Sequence, residues 1–158
     1  MVNIARSTTV PIATGERLFG KWQYRELLEK QAVSVVQPDL CHCGGIFEGR
    51  KIAAMAELNF ASVAPHTPLG PISLAACLQL DTCIPNFLVQ EHPGNADKSD
   101  LGVGYIKDPF VLKNGYIDVP NKPGLGVELD EEALKERIYD GKWTTPRLYF
   151  EDGSNADW

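Results

Sequence analysis

Four ionisable residues organise this sequence: Glu16, Asp39, His66 and Glu91. Successive members lie 23, 27 and 25 residues apart, each interval matching one strand–helix unit. Each follows a short apolar run, at residues 10–13, 33–36, 60–64 and 87–89. Histidine is the side chain whose ordinary proton affinity suits proton transfer near neutral pH. Carboxylates beside it can orient it, hold a cation or hydrogen-bond a developing anion. His66 is also stiffly mounted, in APHTPLGP at residues 64–71. Pro65, Pro68 and Pro71 fix backbone φ there and remove donors. A held residue at a strand end is where a scaffold places a group that acts outside the chain. Taken singly, each residue also reads as a helix cap or a solvated loop charge, and for Glu16 and Asp39 alone that is the better account. For four together at a regular interval it fits poorly.

The elements that must carry these residues alternate in kind. The spacing predicts a helix over residues 18–29 with Leu18, Trp22, Leu27 and Leu28 as core candidates. A second helix, residues 47–58, is opened by Gly44 and Gly45 and carries Ile52, Met55 and Ala56 on one face. A third covers residues 72–80. Residues 10–91 thus read β-α-β-α-β-α-β, which implies parallel strands joined by helices in a doubly wound sheet or a (β/α) barrel. Chemistry at the carboxyl ends of several adjacent strands favours the barrel. An open sheet uses a single switch point, and no Gly-x-Gly-x-x-Gly follows the first strand. The strands are expected to be buried on both faces.

Beyond Glu91 the pattern changes to a polar loop that runs to Gly104. Lys113-Asn114-Gly115 between two apolar segments predicts a hairpin. Asp130 is a good N-cap for a helix expected to stop near Gly141. Residues 143–150 read as a last extended segment and the acidic tail to Trp158 as frayed. The expected division is a partial barrel over 1–104 and a hairpin, helix and tail over 105–158.

Composition bounds the function. The chain has 158 residues, 44% hydrophobic and 23% charged, with net charge −6, enough for one domain with a core. The acidic balance argues against a nucleic-acid partner. No apolar run is long enough for a membrane span, and the N-terminus lacks the apolar core of a secretory signal; the expected location is cytoplasmic. Cys41-His42-Cys43 lacks a second ligand pair at zinc spacing. With Cys77 and Cys83, these cysteines are expected as buried or half-buried thiols in a reducing compartment.

PIATGER (11–17), QPDLCHCGGI (37–46), APHTPLGP (64–71), PNFLVQEH (85–92) and PNKPGLGVELDEE (120–132) together resemble the C-terminal half of the enolase superfamily, mandelate racemase subgroup. The resemblance implies the C-terminal half of a (β/α) TIM-type barrel, with a C-terminal segment that packs on a capping domain. It implies an acid-sugar dehydratase, a hydro-lyase, that abstracts a proton next to a carboxylate with help from Mg²⁺. By the same resemblance His66 is the general base, Asp39 orients it, Glu91 hydrogen-bonds the enediolate, and Glu16 is a metal ligand. The remaining magnesium ligands and the leaving-group acid belong to a half with no counterpart in these residues. The chain is therefore expected to be a fragment with open strand edges and little or no activity alone. Its partner would be a small-molecule sugar acid, with no nucleic acid or membrane; full-length family members are expected to be homo-oligomers. The alternatives are another acid-sugar dehydratase or racemase of the subgroup, or a non-catalytic α/β sugar-acid-binding module.

Overall fold

The computed structural model describes residues 1–142 and 147–156. After helix α1 (Val2–Arg6) come β1 (Ala13–Thr14), α2 (Lys21–Glu29), β2 (Val35–Val36), the single turn α3 (Leu40–Cys43), α4 (Gly45–Leu58), β3 (Ser62–Val63) and α5 (Pro71–Asp81). The three strands form one parallel sheet in the order β1-β2-β3, with Ala13 opposite Val35 and Val36 opposite Val63. The predicted alternation of strand and helix is therefore present through α5. The strands are shorter than the apolar runs suggest, and each run ends for a local reason. Val10 is exposed, its N–H held by Thr8 Oγ1 rather than by a neighbouring strand. Phe60, expected to open β3, instead closes the α4 turn with φ 59° and is 96% exposed. Its N–H donates to Glu57 O at 3.0 Å.

The expected fourth strand at 87–89 shrinks to one parallel bridge between Val63 and Phe87. Val63 N donates to Asn86 O and Leu88 N to Val63 O, both at 2.8 Å. The next bond in this register would come from residue 65, and Pro65 has no N–H. Pairing stops there.

Burial on both strand faces is also corrected. Val36 and Val63 are fully buried against the helices, whereas Val35 and Ser62, which point to the other face, are only half-buried. The main core joins the sheet to Tyr24 and Leu28 of α2, Ile52, Ala53 and Ala56 of α4, and Cys77 and Leu80 of α5. Ile52 and Ala56 are on the predicted face. Trp22 is not: it is 74% exposed, with the Lys21 ammonium 4.6 Å above its ring. Gly20, at φ 72°, delays the start of α2 to Lys21. Tyr24 and Leu28, one turn apart, share the core face. The Tyr24 hydroxyl donates to Gly15 O at 2.7 Å, and burial pushes its proton affinity up. Glu48 clamps α4 to the start of α2 by accepting from Lys21 N and Lys21 Nζ, each at 3.1 Å.

A second cluster uses the other side of α5. Leu74, Ala75 and Leu78 pack on Leu101, Ile106 and Phe110. The predicted hairpin forms between β4 (Leu112–Lys113) and β5 (Tyr116–Ile117), with Asn114 at φ 53° and Gly115 at φ 83° as the turn demands. Asp130 caps α6 (Glu131–Lys135) by accepting from Ala133 N at 3.0 Å. That helix ends well before Gly141. Ile138 and Tyr139 are exposed, so a longer helix would have no apolar face to bury. Part of the tail expected to fray is paired: β6 (Leu148–Tyr149) runs antiparallel to β7 (Asn155–Ala156). The start of the expected extended segment, residues 143–146, lies outside the described residues, as do residues 157–158. Among the described residues no helix is long and apolar enough to cross a membrane.

Candidate active site

Because β1, β2 and β3 are parallel, their carboxyl ends share one edge of the sheet, and the candidate residues lie just beyond it. Asp39 sits in extended backbone, φ −88° and ψ 118°, bridged in parallel to His66. His66 N donates to Pro38 O at 3.2 Å, which aligns the two side chains. Asp39 is fully buried. Its Oδ1 accepts from Cys41 N at 2.7 Å and caps α3. Its Oδ2 lies 2.9 Å from His66 Nδ1. The Cys-His-Cys run is thus a capped turn, with His42 Nδ1 3.6 Å from the same Asp39 oxygen. Two of the cysteines, Cys41 and Cys83, are exposed rather than buried.

A carboxylate accepts and does not donate, so Nδ1 of His66 presents its N–H to Asp39. The His66 side chain is 13% exposed. Its Nε2 opens between Glu16 Oε1 at 3.6 Å and Glu91 Oε2 at 4.0 Å. Both distances exceed a hydrogen bond, so among the described residues neither carboxylate ties up that nitrogen. Glu16 follows Gly15, whose φ is 151°. A Cβ at Gly15 would meet Gln37 N at 2.7 Å, so only glycine allows β1 to turn this close to β2. Glu91 Oε2 accepts from Thr67 N at 2.9 Å. The structure therefore brings all four sequence candidates together.

Thr67 is a residue that the sequence did not single out. It contributes a backbone N–H, which leaves no signature in residue type. Its own hydroxyl turns inward, 3.1 Å from Cys77 Sγ and 3.3 Å from Ser73 Oγ. Burial pushes the Cys77 thiol up to about 12 and the Cys43 thiol to about 11, which makes both poor nucleophiles and poor metal ligands.

Magnesium takes six oxygens in an octahedron. Among the described residues no group of three or more His, Cys, Asp or Glu side chains is arranged to hold a metal ion. Glu16 offers one half-exposed carboxylate, which by itself does not make such a site.

Residues 1–133 match the enolase C-terminal domain-like family. The chain is 44% identical over 160 aligned residues to a D-galactonate dehydratase of Ralstonia pickettii, covering 98% of this chain and 42% of that protein. It is 43% identical to a D-galactonate dehydratase of Cronobacter sakazakii with the same coverage. Among solved structures, an enolase superfamily member from Salmonella Typhimurium superposes with TM-score 0.78 at 40% identity, over 85% of this chain and 34% of that one. A mandelate racemase/muconate lactonizing enzyme from a Sulfitobacter species gives 0.80 at 38% identity, over 90% of this chain and 35% of that one. The chain thus spans 42% of the length of these curated relatives. With parallel strands, a shared carboxyl edge and this match over most of its length, the chain belongs to the enolase C-terminal domain-like family and corresponds to the C-terminal half of the superfamily's barrel.

Proposed function

We propose that this chain supplies the proton-abstracting side of an acid-sugar dehydratase site. The observation that carries the reading is the Asp39–His66 pair, with His66 Nε2 open between Glu16 and Glu91. A carbon-bound proton next to a carboxylate is a very weak acid, so its removal needs a positioned base and a stabilised enediolate. His66 Nε2 takes that proton. The imidazolium that forms is stabilised by Asp39 on the opposite nitrogen, 2.9 Å away. Glu91 lies on the same side as Nε2 and, as a protonated carboxyl, would donate a hydrogen bond to the enediolate oxygen. The hydroxyl on the neighbouring carbon then leaves as water, protonated by an acid from outside these residues. The enol left behind ketonises by gaining a proton at that carbon and losing one from its oxygen, to give a 2-dehydro-3-deoxy sugar acid.

The relatives' names point to D-galactonate as the sugar acid. Glu16 and Asp39 put negative charge at this mouth, and an anionic substrate approaches such a site only with a cation between. Glu16 would supply one ligand to that Mg²⁺, the others coming from outside the 158 residues. When bound, the ion would neutralise charge on the substrate carboxylate.

The chain alone is expected to turn over little or no D-galactonate with Mg²⁺. Joined to the N-terminal part of the Ralstonia pickettii relative that it does not cover, it is expected to dehydrate D-galactonate. In that chimera His66→Asn should lower kcat by about 10²–10⁴-fold. An unchanged kcat would remove His66 as the base. A folded chimera that binds Mg²⁺ but dehydrates no sugar acid would remove the dehydratase reading.

A further inference from the structure

The segment that carries Glu91 lacks a ladder, and side chains take the ladder's place. Among the described residues, 89–93 donate no backbone–backbone hydrogen bond. Leu88 and Val89 are exposed, so packing does not hold the segment either. Gln90 Nε2 donates to Pro65 O at 3.1 Å and to Glu91 O at 2.9 Å, standing in for the backbone donor of the stopped register. On the far side of Glu91, His92 Nδ1 lies 2.7 Å from Asp100 Oδ2. The same oxygen accepts from Gly94 N at 3.0 Å and Asn95 N at 3.2 Å. Asp100 is only 4% exposed, and the next residue, Leu101, belongs to the second apolar cluster against α5. Leu101 O also accepts from Phe110 N at 2.8 Å.

We infer that His92 is a positioning residue for Glu91. Its Nδ1–H on Asp100 anchors the chain immediately after Glu91 to the α5 cluster and keeps the carboxylate on Thr67 N, facing His66 Nε2. The arrangement is a second carboxylate–histidine pair, and its work is mechanical. A hydrogen bond to a buried carboxylate is stronger than a neutral one, and here one carboxylate oxygen gathers three donors from a segment of a few residues. The inference rests on the reading of Glu91 as an active-site carboxylate.

The Thr67 amide tests it without any turnover, because that N–H reports the Glu91 bond directly. In ¹⁵N-resolved spectra of the whole chain, His92→Ala should shift the Thr67 amide toward its position in Glu91→Ala. Its hydrogen exchange should rise at least about tenfold, while Ile52 and Leu80 stay protected. His92→Asn, whose amide can overlay Nδ1, should restore the native shift. If His92→Ala does not fold, His92→Phe keeps the ring volume without the donor and should move Thr67 in the same way. A native Thr67 resonance in a folded His92→Ala or His92→Phe chain would overturn the inference. So would a loss of protection spread evenly over the core, or a Thr67 shift that His92→Asn fails to restore. In the chimera with the Ralstonia pickettii N-terminal part, His92→Ala should lower kcat about tenfold and leave KM within about twofold. A chimera without activity would count against the dehydratase reading alone, since the amide readout still decides the role of His92.

Discussion

His66 has one ring nitrogen committed and one open, and a proton acceptor needs that asymmetry. The buried Asp39 Oδ2 holds Nδ1 at 2.9 Å, and the other Asp39 oxygen is spent on the α3 cap. Neither oxygen can rotate away without giving up a bond in a fully buried place. The neighbouring cysteines show how sharply such environments divide. Cys41 is exposed, while Cys43, two residues on, is buried with its thiol pushed up to about 11. In the native chain at pH 8, iodoacetamide should label Cys41 and Cys83 and spare Cys43 and Cys77. All four should label in urea. Peptide mass spectrometry reads the pattern, and labelling of Cys77 in folded protein would contradict its packing against Thr67.

At the scale of elements, two glycine-bearing turns position the segments next to them. Gly20, at φ 72°, makes the turn before α2, which buries Tyr24 rather than Trp22. Gly15 lets β1 turn against Gln37, with Gly15 O accepting from both Tyr24 Oη and Leu18 N. Gly15→Ala should force these backbones apart, because its Cβ would sit 2.8 Å from Gln37 O and C. The expected loss is about 1–3 kcal/mol of unfolding free energy. Urea unfolding measures it, and an unchanged midpoint would show that β1 accommodates the methyl group. The segment bearing Glu91 obeys the opposite logic: a proline in the neighbouring chain ends the pairing, and the side chains of Gln90 and His92 hold the rest.

For the whole molecule, stability should depend on pH through Asp81. This residue ends α5, and both its carboxylate oxygens are buried without a partner among the described residues. Burial raises its pKa from 3.8 to about 7. The folded chain therefore keeps a proton that the unfolded chain has already released. Stability from this group is complete below pH 3.8 and is lost as pH rises through about 7. Asp81→Asn should then raise the unfolding free energy at pH 8 by about 1–3 kcal/mol. The gain should vanish near pH 4. Urea titrations at both pH values measure this, and equal midpoints for the two proteins at pH 8 would refute it.

The sequence by itself determined what depends on neighbours close along the chain. The strand–helix alternation, the Asn114-Gly115 turn, the Asp130 cap and the Ile52–Ala56 face all come from spacing within a turn or two. The four candidate residues were legible for a related reason: parallel strands repeat, so groups at the ends of successive strands must share an edge. Only the tertiary structure decided what depends on the residue opposite. Pro65 stops the ladder beyond Leu88 because a backbone donor is missing across the sheet. Thr67 joins the site through an N–H that every residue but proline carries. Trp22 yields to Tyr24 because Tyr24 lies on the face of α2 shared with Leu27 and Leu28, which the core covers. Asp39 works on His66 and on the α3 cap together, a double duty that requires both partners to be folded around one buried carboxylate.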